Sequence, residues 1–592
     1  MTRSFTVNVA ETTVSRRTAG SAAGGRVTRI SAETLLFAGL LLVYLAVAAW
    51  LVFLHHSIME DALSRVANAQ YVLFSREPKL ANLGFVWTPL PSLLVLPFLP
   101  LKALWPPLVE QGFLANILSA VAMAASARAL VGLLDDMRVP RRAAFTLGLA
   151  FGLQPMIVWF GANGMTEALL ILFLLLSSRC LVRWLDDDDF RHLMAAGGYL
   201  ALGYLARYEV LASGCAAVAL VAVVTWRRLS TEQVNRRNAA IIADTLLVGA
   251  PLLAAFLFWA IASWVIVGHP FDQFSSAYGN SALVESGGGQ AAVNPTLIVM
   301  QWLVLAPVLP VVMVAASVIA VRRRDIVLVP PVALLSAVLA FEALVYSTGS
   351  LFGFLRYQIV VVPLLVIMAG YLFSRRLTED TAPDQHFPGL DAPTERLDLH
   401  RIRAHATSAK SAARSWRSAL VPAAAAALLL PGIVVSSDVF MNHRVYANQE
   451  WGRVRPAVLA TLGQPEPIVG SVNGLFDVDR KIAAFLDAKR LPPGSVVVDS
   501  GSGFAVIAAS ANPRQFVITS DLDFQGAVVD PVGHGVRYML LNRSNSQYDA
   551  VAARWPDLAA DRPTAFWARR DVVFPSGGQA GAHEWALWRV EP

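Results

Sequence analysis

The chain has 592 residues, 56% of them hydrophobic and only 15% charged. Soluble chains carry about a quarter charged residues, so this composition excludes a purely soluble multidomain protein and points to a membrane body. The formal charge of +6 is modest, and its arginines sit in short turns beside apolar runs. That placement orients helices in a bilayer and does not build a nucleic-acid surface. Cys180 and Cys215 both lie inside apolar runs, which argues against a disulfide framework and against a thiol catalyst.

In chain order, residues 1–33 form a polar tail with Arg3, Arg16, Arg17, Arg26 and Arg29. The run Leu35–Leu54 follows; it is long enough to span and lacks a small-residue cleavage site, so a retained first helix is expected. Later candidate spans are Phe113–Leu134, Ala143–Ala162, Met165–Trp184, Leu193–Tyr208 and Val210–Trp226. Leu246–Val267, Leu297–Val321, Ile326–Tyr346, Ile359–Phe373 and Leu420–Val435 complete the set. A span takes roughly 20 apolar residues, so about eleven transmembrane helices are predicted. They divide into a body at 34–374 and a last helix at 419–437.

The turns with Arg138, Arg141 and Arg142, with Arg183 and Arg191, and with Arg227, Arg228, Arg236 and Arg237 fall on one side if the spans alternate. Arg322–Arg324 and the segment from Arg375 to Arg417 fall there too. By the positive-inside rule that side is cytoplasmic and holds the N-terminus. The short run Pro89–Leu104 carries Pro89, Pro91, Pro97 and Pro100, and counting it as a crossing would put every later arginine turn outside. It is expected to be re-entrant or interfacial within a long outer loop, His55–Gly112. Residues 375–418 are expected to be a polar cytoplasmic linker with one surface helix. From residue 438 the composition turns soluble: Lys481–Lys489 has helical spacing, "GSVVVDSGSGFAVIAAS" suggests strand, turn and helix, and "RQFVITS" and "VRYMLLN" suggest strands. The predicted fold class is therefore an all-α polytopic membrane body with an extracytoplasmic α/β domain at 438–592.

Chemistry-bearing residues gather on the predicted outer side. Glu60 and Asp61 open an amphipathic stretch just past the first span; an acid held there can act as general base toward a hydroxyl, although carboxylates are also ordinary at a helix N-terminus. In "GANGMTEAL", Glu167 lies about one turn into a span beside Asn163, and an intramembrane carboxylate usually faces a cavity or a partner, or else snorkels to the boundary. "LARYEVLASG" sets Arg207, Tyr208 and Glu209 at a break between two spans. That arginine can fork onto a phosphate or simply pair with Glu209 to close a helical hairpin. "GSLFGFLRYQIVVVPLL" opens a span with Arg356 and Tyr357. Arg207 and Arg356 both break the orientation rule, which suggests an anionic ligand such as a lipid phosphate. The loop with His269, Asp272, Tyr278, Asn280, Glu285 and Gly287–Gly289 has the composition of a lid or of a plain flexible loop. "DDDD" at Asp186–Asp189 suggests a solvated charge run, "DVD" at Asp477–Asp479 and "DLD" at Asp521–Asp523 are too short to carry a signal, and no Walker A motif supports an ATP-driven pump.

The order of these segments resembles the GT-C superfamily of membrane glycosyltransferases, in particular its protein-mannosyltransferase and aminoarabinose-transferase-like branch (family 39-like), over Leu35–Phe373. The carriers are an acid after the first helix, a Pro-bearing apolar helix in the first outer loop, an outer-side Glu in a middle span, "RYE" at a hairpin and a late "RYxxxxxP". The resemblance implies inverting transfer of a sugar from a polyprenyl-phosphate donor to a hydroxyl of a glycan or protein acceptor on the extracytoplasmic face of the cell (inner) membrane. It implies Asp61 as the catalytic acid with Glu60 as fallback, Arg207 and Arg356 on the donor phosphate, and Glu167, Glu209, Asn163, Tyr208 and Tyr357 as positioning residues. Some relatives use a divalent metal and others do not, and the sequence offers no decisive ligand set. In place of the family's Glu-Lys-Pro-Pro segment the chain has "FVWTPLPSL", with Trp87 and Thr88 where relatives carry charge. The competing readings are a transporter or flippase of lipid-linked substrates, which would place charges near mid-membrane and often show inverted repeats, and a non-enzymatic envelope-binding protein.

Overall fold

Ser31 starts the first membrane helix. Its hydroxyl accepts the Thr34 N–H at 3.1 Å, and Glu33 follows in the first turn, where a helix N-terminus favours negative charge. The structure is a computed structural model that describes residues 31–275, 294–379, 400–465, 472–544, 546, 548–576 and 583–591. The arginines of the N-terminal tail, the loop residues Tyr278, Asn280, Glu285 and Gly287–Gly289, and the linker between 380 and 399 lie outside the described residues.

Among the described residues, eight helices are long and apolar enough to cross a bilayer, or ten crossings if each of two bent pairs is one span. Helix Phe113–Asp136 has 24 residues, about 36 Å at 1.5 Å per residue, against a hydrocarbon core of about 30 Å. Two of the expected spans are broken. Ala143–Ala162 is the pair Arg141–Gly152 and Pro155–Ala162, bent by 63°; Leu297–Val321 is Pro295–Leu305 and Leu309–Arg323, bent by 81°. Each break falls at an X-Pro step, Gln154–Pro155 and Ala306–Pro307. Gln154 (ψ 131°) and Ala306 (ψ 70°) are both turned out of the helical conformation, as the following proline ring requires.

Helix Val234–Val267 is longer than the expected Leu246–Val267 and reaches back through Arg236 and Arg237. The helix expected at Leu193–Tyr208 is Phe190–Ala206, 17 residues long. Residues 400–442 form one continuous helix, so the second half of the expected linker runs directly into the last span. Leu90–Ala103 is a short apolar helix, in keeping with a segment too short to cross.

The C-terminal region is α/β, with a five-stranded sheet in the order β2-β1-β3-β5-β4. β1 (Val496–Val497), β2 (Phe516–Val517) and β3 (Tyr538–Asn542) are parallel, while β5 (Trp585–Val590) joins β3 antiparallel and β4 (Ala568–Phe574) adds an antiparallel edge. Side-chain alternation divides the strands between two cores. Val496, Val498, Phe516 and Ile518 join the core that continues into the membrane body, and Val497, Val517, Met539 and Leu541 pack on the opposite face. The first outer loop clasps this region with charge: Arg76 pairs with Asp523, Arg453 forks onto Glu60 at 2.8 and 2.7 Å, and His56 Nδ1 lies 2.9 Å from Asp477.

Candidate active site

The predicted site residues come from four places in the chain, and the fold brings most of them together. Glu60–Phe74 forms a helix whose first turn carries Asp61. Glu167 opens the span Glu167–Asp187, Arg207 and Glu209 sit in the break between Phe190–Ala206 and Val210–Arg228, and Arg356 lies in a 3-10 turn at Leu355–Gln358. The turn Asn163–Gly164 explains why the first and second elements meet. Gly164 has φ +80°, and a Cβ there would stand 2.9 Å from the Ala62 Cβ, so only glycine permits this approach beside Asp61.

A chain of ion pairs results. Arg356 Nη1 lies 3.2 Å from Asp61 Oδ2, and its Nε is 4.0 Å from Glu167 Oε1. Arg207 Nη1 donates to Glu167 Oε1 at 2.6 Å, and Arg207 Nε donates to Glu209. Glu167 is 1% exposed and Arg356 is buried, so these are desolvated charges kept in place by mutual pairing. Two atoms in the chain remain unsatisfied: Arg356 Nε and Glu167 Oε2 are buried without a hydrogen bond. Burial alone would push the Asp61 carboxyl up, but the Arg356 and Arg65 guanidiniums outweigh it and hold Asp61 below its ordinary range.

The remaining predicted residues take other places. Tyr357 stands within 3.5 Å of Arg356 Nη2 and stacks on Phe354, and Tyr208 meets Phe341 edge-on. Asn163 Oδ1 accepts the Met165 N–H at 3.1 Å, which makes it a turn residue beside the ion pairs. Glu60 points away from the chain of pairs, onto Arg453. His269 contributes its backbone oxygen to Ser263 Oγ at 2.6 Å.

Three charged neighbours went unnoticed in the sequence. Arg65 donates to the Asp61 carbonyl at 3.0 Å and lies 5.4 Å over the Trp87 ring. Glu342, buried within the span Val329–Ser347, acts on Arg207 and Arg356. Glu450 is fully buried in the helix Asn448–Thr461, and burial pushes its carboxyl up to about 7. Its charge reaches Arg356 and Glu167. Its only sequence signal is an acid in a first helical turn, far along the chain from the others.

Asp61 also lines a cleft of about 440 Å³ between the first outer loop and the C-terminal sheet. Trp87 and Asn68 stand on the membrane-body wall, and Asp479, Asp499, Thr519 and Tyr548 on the other. Asp61 is the residue common to the cleft and the chain of pairs. Among the described residues, no three His, Cys, Asp or Glu side chains gather as a metal site.

The arginine-rich turns lie at the opposite pole. Asp136 accepts from Arg179 at 2.7 Å and from Arg183 at 3.0 Å, Arg376 forks onto Asp186, and Arg228 pairs with Asp188. Glu167 and Asp186 stand near the two ends of one 21-residue helix, about 30 Å apart at 1.5 Å per residue.

Residues 108–259 match the profile of the dolichyl-phosphate-mannose-protein mannosyltransferase family. That stretch contains Asn163, Glu167, Arg207, Tyr208 and Glu209 and leaves Asp61 and Arg356 outside it. A comparison with curated proteins returns no match. Among solved structures, the apo oligosaccharyltransferase of Archaeoglobus fulgidus aligns at TM-score 0.40 and 11% identity, over 86% of this chain and 70% of that one. The oligosaccharyltransferase AglB of the same organism, in complex with an inhibitory peptide and a dolichol-phosphate, aligns at TM-score 0.40 and 11% identity, over 92% and 73%.

Proposed function

We propose that this chain, a multi-pass membrane glycosyltransferase of the GT-C superfamily, moves a sugar from a polyprenyl-phosphate donor to an acceptor hydroxyl, inverting the anomeric carbon, on the extracytoplasmic face of the cell membrane. The observation that carries this reading is the position of Asp61, paired with Arg356 on one side and open to the cleft on the other.

In this mechanism Asp61 accepts the proton of the acceptor hydroxyl as its oxygen attacks the anomeric carbon. The bond from that carbon to the phosphate oxygen breaks on the opposite face, and the electron pair leaves with the lipid phosphate. Arg356 receives that charge, because its Nη1 already lies beside Asp61 while its Nε is buried without a hydrogen bond. Arg207 takes a different role from the one its sequence position suggests. Its Nη1 and Nε are committed to Glu167 and Glu209, so it fixes Glu167 beside Arg356 and leaves the phosphate to Arg356. The arginine turns at the far pole support a cytoplasmic location for that end and, with it, an outer location for Asp61.

The test is transfer of a radiolabelled sugar from short-chain polyprenyl-phosphate donors by the purified chain in proteoliposomes. Asp61→Asn lowers kcat by about 10²–10⁴, the usual contribution of a positioned general base. A variant as fast as the parent removes Asp61 from that role.

A further inference from the structure

The cleft beyond Asp61 lies outside the ion-pair chain and has a construction of its own. Asp499, Ser500, Gly501 and Ser502 follow β1, Thr519 follows β2 and Asn542 ends β3, so one wall is the carboxyl edge of the three parallel strands. The chain passes from β1 to β2 on one side and then to β3 on the other. A reversal of that kind opens a crevice at the carboxyl ends, the general place for ligands in open α/β sheets. The loop after β1 is fixed for the purpose: the Asp499 carboxylate accepts from Gly501 N and Ala550 N, both at 2.6 Å. Ser500 and Thr519 share a hydrogen bond, and Ser502 Oγ donates to Asp549 at 2.6 Å. At about 440 Å³ the cleft falls within the roughly 300–1,000 Å³ of pockets that enclose small ligands.

The lining chooses the chemistry of the ligand. Among the described residues it has no Lys and no Arg, so it is not built for a phosphate. Its polar groups are carboxylates, two amides, hydroxyls and the His583 imidazole, and among them stand the aromatic side chains of Trp87, Phe476, Phe504 and Tyr548. Asp479, 2% exposed, lines the cleft with the Trp585 side chain facing its carboxyl and its Oδ1 short of a close hydrogen bond. The net negative charge is less than the carboxylate count suggests, because Glu60 is matched by Arg453 and Asp499 by backbone N–H groups. A basic peptide therefore gains little there. An extended peptide would also want an unpaired strand edge, whereas this wall consists of strand ends.

We propose that this cleft is the acceptor subsite and that the acceptor is a neutral saccharide, its hydroxyls taken by Asp479, Ser500 and Thr519 and its ring faces by Trp87 and Tyr548. The inference rests on the transferase reading above and gives that reaction its acceptor class. The saccharide enters from the side of the sheet and presents one hydroxyl to Asp61, while the lipid phosphate stays on the Arg356 side.

The experiment is binding by the full chain in lipid nanodiscs, with no donor present, of a panel of neutral hexose and pentose trisaccharides and of a serine-containing basic peptide. Calorimetry or saturation-transfer NMR reads the affinity. The expected result is saturable binding of a trisaccharide, weakened about tenfold by Tyr548→Ala, the equivalent of about 1.4 kcal/mol, and abolished by Thr519→Trp, which fills the cleft. Thermal melting of both variants checks that they fold. Binding of the peptide alone, no saccharide binding in the parent chain, or saccharide binding indifferent to both substitutions overturns the proposal. A chain that binds the saccharide and transfers nothing refutes the transferase mechanism and leaves the subsite standing. A chain that transfers only to the peptide does the reverse.

Discussion

The span Glu167–Asp187 carries charge at both ends, and the two ends treat it differently. At the first end, Glu167 and Arg207 have side chains 1% and 13% exposed and sit within a chain of buried pairs that reaches Asp61. At the second end, Asp186 and Asp188 are 43% and 73% exposed and pair with Arg376 and Arg228. Similar ion pairs therefore have different consequences. Losing one partner of a buried pair leaves a desolvated charge behind, which costs about 3–5 kcal/mol, whereas water takes over for an exposed one at about 0–1 kcal/mol. The first end is expensive and directional, in keeping with the proposed reaction centre; the second rests on exposed pairs that water can replace.

Substitutions at the two ends break or sharpen this contrast. The largest effect is expected for Arg356→Gln, which removes the guanidinium proposed to meet the lipid phosphate. Transfer falls by about 10²–10³, the usual effect of losing one group that stabilises developing charge, as read by single-turnover sugar transfer. Glu167→Gln comes next: Arg207 loses one of its two ion pairs among the described residues and keeps the one to Glu209, and the apparent Tm in detergent drops as for a loss of about 3 kcal/mol.

A smaller effect, visible only as a function of pH, belongs to Asp479 in the outer region. Burial pushes its carboxyl up to about 7, against about 3.9 unfolded. Between those values the folded chain holds a proton that the unfolded chain has lost, so stability falls as pH rises from about 4 to about 7 and levels off above. Asp479→Asn cannot ionise, and its Tm difference between pH 5 and pH 8 is smaller than the parent's. The smallest change is Arg376→Gln at the exposed end: below about 1 kcal/mol in melting, with transfer unaffected. A large loss of transfer in Arg376→Gln would erase the distinction between the two ends.

Much of the first end is legible in the sequence because a charge beside an apolar run is costly and therefore conspicuous. That reasoning picks out Asp61, Glu167, Arg207 and Arg356, which the fold then joins. It misses Glu342, since one carboxylate among the apolar residues of Ile326–Tyr346 barely alters a span-length average. It misses Arg65 because an amphipathic helix outside the spans looks solvated, and Glu450 because nothing local ties residue 450 to residue 356. Hydropathy averaging also hides the bends. Pro155 and Pro307 are plain in the sequence, but an average over twenty residues contains no backbone geometry. The cleft depends on loops from three strands and one outer helix, a juxtaposition that only the folded chain supplies.

Both bends are repaired by the same distant helix. At the first, Gln154 Nε2 donates to Ser436 Oγ at 3.0 Å; beside the second, Ser436 Oγ donates to the Val304 carbonyl at 3.1 Å. One turn earlier, a Cβ on Gly432 would stand 2.7 Å from the Leu305 oxygen. Backbone groups freed inside a bilayer have no water to turn to, so they depend on such partners. The border near residue 419, where the polar linker gives way to the last span, is thus no seam along which the molecule comes apart. A chain cut there loses the rivet that closes two fractured helices, so its front half is expected to hold both bends less firmly than the full chain does.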